Sequence, residues 1–557
     1  MADTLGGIKS KLKSEVPVKV VIVGGVAGGM SAATRLRRLD EQAEIVVLER
    51  GAHVSYANCG LPYFLGGVIE ERDALLVQTP EALRARFRID VRVRSEAVAV
   101  DTAGRTVTVR DLAAGTEYTE AYDRLVLSPG ARPFVPELPG AERAFTLRDV
   151  SDTDRIAGEL AAGARSAVVV GAGFIGVEAA ENLRHRGLDV TLVELAGQVL
   201  PPLDAEMAAP LAAELRAGGV DLALGTQLKE IRDHEVVLDD GRTVPADLVL
   251  MAIGVRPDVG LARAAGLAIG PRGGIAVDER GRTSDDAVYA VGDAAEKRDA
   301  LSGESTLVPL ANLANRHGRL VADAIAGRPV SARPATGTAV VQVFGLTAAA
   351  TGWNEKRLRA AGRRYQALHL HPGSHAGYYP GASPIALKVL FDPDDLSILG
   401  AQAVGADGVD KRVDVLATAI AGGLTAPDLA DLELAYAPPY GSAKDPVNMA
   451  GMIAENLVTR TDRTVQWHEL DAARAAGAAL VDVRTAAEHA RGAIPGAVNI
   501  PLDELRDRAA ELPDGDLLVH CQVGLRGHTA LRLLAGLGRD AANLDGGYAT
   551  WSAGQAA

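Results

Sequence analysis

The 557-residue sequence contains only two cysteines, Cys59 and Cys521, and aromatic side chains make up 4% of it. Two cysteines so far apart cannot build a disulfide framework, and a reducing compartment would not preserve a single bridge. Each is therefore read from its own neighbours. No run of about eighteen uncharged apolar residues occurs. The nearest, Ser166 to Val177, is broken by glycines and reads as strand, turn and helix. No membrane association is expected. The N-terminal stretch up to Val20 carries lysines but no apolar core and no twin arginine, so a cytoplasmic location is expected by default. Basic residues are also outnumbered, 58 Lys and Arg against 72 Asp and Glu, for a net charge of −14. That balance argues against nucleic-acid binding, which needs clustered cations. An anionic small ligand would need a local basic patch, and no metal site is expected.

What remains is an ordinary folded composition, 48% hydrophobic and 23% charged, in a chain long enough for three to five domains. The strand VKVVIVGG (Val18 to Gly25) runs into a small-residue turn, a helix from about Gly28 to Leu39, and a second strand, EIVVLER. Glu49 falls 20 positions after Gly29, where it would catch a ribose hydroxyl. The pattern returns in SAVVVGAGFIGVEAAENLRHRG and DVTLVE, ending on Glu194. Here Gly171, Gly173 and Gly176 complete G-x-G-x-x-G, serving the tight turn, the approach of backbone to pyrophosphate, and close helix packing. The first copy departs at its middle position, reading Gly24, Val26, Gly29. One such fingerprint is weak, whereas two, each with its acid correctly spaced, indicate two dinucleotide sites.

Two buried strands run into glycine turns at YDRLVLSPGA and DLVLMAIGVRPD, and VYAVGDAA places Asp293 between a strand and an expected helix. From about Arg333 to Leu457 the pattern becomes antiparallel strands with a helix, DKRVDVLATAIAGG.

Val18 to Arg328 resembles the flavoprotein disulfide reductases with two dinucleotide-binding domains, of the pyridine nucleotide-disulfide oxidoreductase family. The resemblance implies that Gly24, Gly29, Glu49 and Asp293 bind FAD, and that Gly171, Gly173, Gly176 and Glu194 bind the nicotinamide dinucleotide. Glu178, in the FIGVE turn, would lie near the nicotinamide. A carboxylate at Glu194 accepts from a ribose 2′-hydroxyl and repels a 2′-phosphate, so NADH is favoured over NADPH.

Most such reductases carry two cysteines after the FAD-ribose acid, but SYANCGLPYFLGG holds only Cys59. A lone cysteine there must cycle through sulfenate or through a mixed disulfide with a small thiol. The alternative is a buried inert cysteine, a common fate of the residue type. The surrounding S-Y-x-N-C-x-x-P-Y resembles the coenzyme A-disulfide reductase and persulfide reductase subgroup, where the resting cysteine pairs with coenzyme A. That resemblance implies substrate contacts from Ser55 and Asn58. It also implies one tyrosine from each of SHAGYYPGA and ELAYAPPYGSAKDPVN, namely Tyr378 and Tyr436, reaching the Cys59 site from the partner subunit of a homodimer. Tyr379 and Tyr440 are expected in the core. Arg35 and Arg38, three apart on one helical face, could clamp coenzyme A phosphates or merely form a solvated basic face.

After a short linker, VTRTDR, the landmarks LVDVRTAAEHARGAIPGAVNIPL, LLVHCQVGLRGHTALRLLAG and NLDGGYATW resemble the single-domain rhodaneses. Cys521 lies between a buried strand and a helix expected near Gly527, in a loop whose N–H groups favour thiolate and persulfide, with Arg526 adding a guanidinium. Related phosphatases use a loop one residue longer, so the C-x4-R spacing favours sulfur transfer. A six-residue linker spans only about 20 Å extended, so no large swing of the tail is expected.

The expected fold is α/β multidomain: two Rossmann-like dinucleotide-binding domains, an α+β dimerisation domain and a rhodanese-like α/β domain. Their expected bounds are 17–149 with 270–330 for FAD, 150–269 for NAD(P)H, 331–457 for dimerisation and 464–557 for the rhodanese unit. The expected activity is NADH-dependent reduction of coenzyme A persulfide, polysulfide or coenzyme A disulfide. The open alternatives are an NADH oxidase reducing O2 and a sulfur-relay or redox-sensing protein.

Overall fold

The computed structural model describes residues 17–556. The N-terminal targeting expectation rests largely on residues 1–16 and lies outside them. Four sheets carry the architecture. The first is fully parallel, in the order Val288–Ala290, Arg124–Leu127, Lys19–Val23, Glu44–Leu48, Asp90–Arg92. Its edge strand comes from far downstream, so the chain leaves this sheet to build another unit and then returns to close it. The strands are near-continuous apolar runs, as a sheet covered on both faces requires.

The second parallel sheet runs Val220–Leu224, Asp189–Glu194, Ser166–Val170, Leu248–Met251. In both sheets the strand leading into the glycine turn has the ribose-acid strand on one side, which brings each Glu back beside its turn. The third sheet is antiparallel, in the order Ala339–Val343, Leu346–Gly352, Ile398–Gly405, Ile385–Phe391, Gln366–Leu370. The helices Val409–Gly422 and Pro446–Val458 share its apolar core. The last sheet is parallel again: Thr464–Val465, Ala541–Leu544, Leu517–His520, Ala479–Asp482, Val498–Asn499. The whole is α/β and multidomain, with two Rossmann-like units, an α+β dimerisation unit and a rhodanese-like tail.

Three expectations need correction. No helix follows Asp293 directly: Gly292–Ala294 is a single 3-10 turn, and the next helix is Ala311–Ile325. Buried Lys297 holds that turn, its Nζ donating to the carbonyls of Gly292 and Ala295 at 2.5 and 2.8 Å. The helix after Cys521 starts at Leu525 rather than near Gly527, because Gly524 takes φ +95° and completes the turn early. Tyr379 and Tyr440 are not core residues of the chain, being 43% and 73% exposed.

The tail is fastened to the rest of the chain. Its last helix, Gly547–Gln555, packs on Ala205–Ala217 of the second Rossmann-like unit. Between them lies a buried charge cluster. His369 donates from Nδ1 to Asp545 of the tail at 2.7 Å, and its Nε2 lies 3.0 Å from Glu206. Lys388, itself buried, is paired with Glu206, with Asp204 at 2.9 Å and with Glu355 at 3.3 Å. Facing carboxylates hold Lys388 charged, and against the cost of burial Asp545 and Glu206 push His369 up to about 9. Burial, helped by the charge on His369 and only partly offset by Asp545, pushes neighbouring His371, 2.8 Å from Thr550, down to about 4. Among the described residues, no helix is long and apolar enough to cross a membrane.

Candidate active sites around the two cysteines

Both glycine turns open on one cavity of about 2000 Å³, whose walls include Gly24, Glu49, Asn58, Cys59, Arg148, Gly171, Gly173, Glu178, Glu194 and Asp293. The glycines divide by what they face. A Cβ on Gly29 would sit 1.9 Å from the Gly24 carbonyl, and one on Gly176 would sit 1.8 Å from that of Gly171, so these two serve helix-on-turn packing. Gly24 (φ +96°) and Gly171 (φ +100°) make the turns themselves. A Cβ on Gly173 would meet no protein atom within 4 Å. Its smallness serves something approaching from the cavity, as pyrophosphate would.

The two acids are set identically. Glu49 accepts from the N–H of Gly25 (2.8 Å) and Gly51 (2.6 Å), and Glu194 from those of Ala172 (2.7 Å) and Ala196 (2.8 Å). In each copy, one N–H of the glycine turn and one just past the strand aim a carboxylate at the mouth of the turn. These are the residues that could hold two dinucleotides, and open space at the turns fits both.

Cys59 lies in the 3-10 turn Asn58–Gly60, just before the short helix Leu61–Gly66, and is exposed. Its Sγ is 4.0 Å from Asn58 Oδ1. Although the side chain opens on the cavity, the protein packed around it keeps water off the thiolate and pushes the thiol up; Glu178 and Asp293 add to the effect, and Arg148 opposes it. Arg148 lies 3.6 Å from Asp293. Glu178 is raised to about 7, chiefly by burial, against the pull of the Tyr63 hydroxyl, which donates to it at 3.3 Å. A carboxyl poised near neutrality beside a cysteine can hold or release a proton there.

Other expected substrate residues lie elsewhere. Ser55 is not a wall of the cavity; it takes φ +48°, and its N–H donates to the Gly25 carbonyl at 2.8 Å. Arg35 and Arg38 do not form one free basic face. Arg35 is tied to Asp323 at 2.8 Å, and Arg38 alone is exposed. Tyr378 and Tyr436 are 76% and 47% exposed, and their hydroxyls meet at 2.8 Å. The two loops that carry them thus present one paired phenol on the outside of the chain.

Cys521 is fully buried beneath its loop. The N–H of Gly524 donates to its Sγ at 3.1 Å. The loop is stapled from behind, since Tyr548 N–H donates to the Cys521 carbonyl (2.8 Å) and Ala549 N–H to that of Gln522 (2.9 Å). Gly547 permits this: a Cβ there would lie 2.6 Å from the Cys521 carbonyl oxygen. Arg526 stands in the first turn of the helix and makes a two-pronged pair with Glu488 at 2.7 and 2.8 Å. Beneath the loop, buried Asp482 accepts from Arg484 (2.7 Å) and lies 2.8 Å from His489 Nδ1.

Sequence reasoning missed Tyr63, Arg148, Glu488 and the His369–Asp545 pair. Tyr63 lies within SYANCGLPYFLGG, and its closeness to Cys59 was a usable signal. The others come from distant segments with no local signature.

Comparison with known proteins follows these units. Residues 18–318 match the family described as pyridine nucleotide-disulphide oxidoreductase, 338–446 its dimerisation domain, and 466–554 the rhodanese-like domain. A coenzyme A disulfide reductase of Staphylococcus aureus (strain JH9) is 36% identical over 441 residues, 78% of this chain and 100% of that protein. The crystal structure of reduced Bacillus anthracis CoADR-RHD aligns with TM-score 0.95 and 49% identity, covering 97% of this chain and 98% of that one. A NAD-dependent persulfide reductase from A. fulgidus aligns with TM-score 0.91 and 37% identity, covering 96% of this chain and all of that one.

Proposed function

The chain belongs to the pyridine nucleotide-disulphide oxidoreductase family, and from that premise we propose that it is an NADH-dependent reductase of coenzyme A persulfide, with coenzyme A disulfide and polysulfides as related substrates. The observation that carries this reading is the placement of a single cysteine, Cys59, with Glu178 on the wall that both dinucleotide turns share. FAD, when bound, supplies the electron pair taken from NADH.

The chain's own residues do the rest. Gly24, Glu49 and Asp293 hold FAD, with Gly29 seating the helix on the turn; Gly171, Gly173 and Glu194 hold NADH, with Gly176 seating the second helix in the same way. Their units span 17–149 with 270–330, and 150–269, while 331–457 dimerises and 464–557 is the rhodanese unit. The Cys59 thiolate attacks the sulfane sulfur of R–S–SH, giving Cys59–S–SH and releasing RS⁻. Two electrons then cleave that persulfide, releasing HS⁻ and restoring the thiolate. Glu178, titrating near neutrality with Tyr63 beside it, supplies the proton that RS⁻ or HS⁻ takes up. In a homodimer the paired phenols Tyr378 and Tyr436, exposed on one chain, reach the partner's Cys59 and donate to the departing sulfur. Asn58 lines the same wall. Cys521 exchanges sulfane sulfur in its own cradle. Two unbridged cysteines fit a reducing cytoplasm.

The persulfide reading is preferred to coenzyme A disulfide alone because a sulfurtransferase unit serves only the former. It is preferred to an NADH oxidase because the likeness to a persulfide reductase spans both halves of the chain. The test is anaerobic NADH oxidation with coenzyme A persulfide, with coenzyme A disulfide and with no acceptor, following sulfide release. Persulfide-dependent turnover that vanishes in Cys59→Ser is expected. Turnover that requires oxygen whatever the sulfur acceptor would return the oxidase reading.

A further inference from the structure

Several cations of the rhodanese-like unit near Cys521 are matched by acids. Arg484 and His489 converge on Asp482, His528 lies 2.5 Å from Asp462, and Arg526 is held by Glu488 through both prongs. Burial holds His520 neutral at ordinary pH, pushing it down to about 4. Glu488 is not a casual surface partner. It is the third residue of the helix Ala486–Ala490 and is fixed by the capping Thr485, whose N–H and hydroxyl each donate to it at 2.9 Å. Hydrogen bonds from Arg526 and Thr485 hold the carboxylate well below its usual range, at about 2. Arg526, on the first turn of the helix after the Cys521 loop and close enough to act on the sulfur, therefore arrives already neutralised.

This bears on which sulfur donors the cradle accepts. Attack by the Cys521 thiolate on thiosulfate gives Cys521–S–S⁻ and expels sulfite, a dianion that needs an uncompensated cation nearby. Attack on an organic persulfide, R–S–SH, gives Cys521–S–SH and expels RS⁻, a monoanion that backbone N–H groups alone can accommodate. We infer that Glu488 is a specificity-determining residue of the rhodanese site, cancelling the Arg526 charge so that the site takes sulfur from organic persulfides and discriminates against thiosulfate. The inference rests on the reading of Cys521 as a sulfur carrier.

The test uses the full-length holoenzyme with cyanide as acceptor, reading thiocyanate from glutathione persulfide and from thiosulfate. Wild type should favour the persulfide. Glu488→Gln frees the guanidinium and should raise kcat/KM on thiosulfate about tenfold, the size one charge-assisted hydrogen bond carries, while moving the persulfide value less than about threefold. Adding Arg526→Gln to that variant should abolish the gain. Wild type turning over thiosulfate as well as persulfide would overturn the inference. So would an unchanged thiosulfate value in a Glu488→Gln protein that still uses persulfide. Thiocyanate from neither donor beyond that of Cys521→Ser would instead remove the sulfur-carrier reading beneath it.

Discussion

Cys59 stands on the wall of a large cavity to which both Rossmann-like units contribute, whereas Cys521 is sealed beneath a loop completed inside one small unit. Around Cys59 the nearest charges on the chain are two carboxylates against one guanidinium, so this chain by itself works against its thiolate. Around Cys521 a backbone N–H already points at the sulfur, and the loop is braced from behind by Gly547 and Tyr548. The first site is assembled from several parts of the chain and needs more than the chain to become reactive. The second is prebuilt. On the proposed reading, the contrast teaches that one polypeptide holds two sulfur centres by giving them different sources of activation.

The sharpest way to break that contrast is Cys59→Ser. It should lower persulfide-dependent NADH oxidation by about a thousandfold or more, since no second thiol is near, while thiocyanate formation at Cys521 persists. Loss of both activities would mean that the two sites are one system. Gly547→Ala should do the converse, because φ is +66° there and the added methyl meets the Cys521 carbonyl. Sulfur transfer should fall by more than about tenfold with the reductase intact, as measured by parallel thiocyanate and NADH assays. Glu178→Gln sharpens the Cys59 side: kcat should fall by about tenfold to a hundredfold, and an inflection near pH 7 in the rate profile should disappear.

The last prediction concerns how the two halves are joined. His369 sits above its ordinary value, at about 9, faced by Asp545, Glu206, Lys388 and His371. Its contribution to docking is fully present below about 6.5 and is lost as the pH rises through about 9. Limited proteolysis at residues 458–463 should therefore quicken above pH 9 in the wild type. In His369→Asn, which removes about 3 kcal/mol of docking, it should be fast already at pH 7.

How legible this was in the sequence follows from the range over which each feature is encoded. The two strand–turn–helix units, their acids and the C-x4-R loop are local patterns in which neighbours in sequence are neighbours in space, and they could be read directly. The start of the helix after Cys521 was misjudged by two residues because the left-handed turn at Gly524 is a backbone choice that composition does not reveal. Arg35 looked free because its partner, Asp323, lies 288 positions away. The charge cluster at His369 was invisible for the same reason, five separate segments each contributing ordinary polar residues.

That cluster also changes what it means to shorten this protein. Ending the chain at Val458 would take the tail off the helix Ala205–Ala217 and off His369 and His371, opening to water the face beside the buried Glu206–Lys388 pair. His369 would lose the acid that holds it charged. The tail is thus an outer wall of the reductase as much as a passenger on it. A shortened enzyme would have to be re-faced along Ala205–Ala217 and Gln366–Leu370 before its activity could be compared with that of the whole.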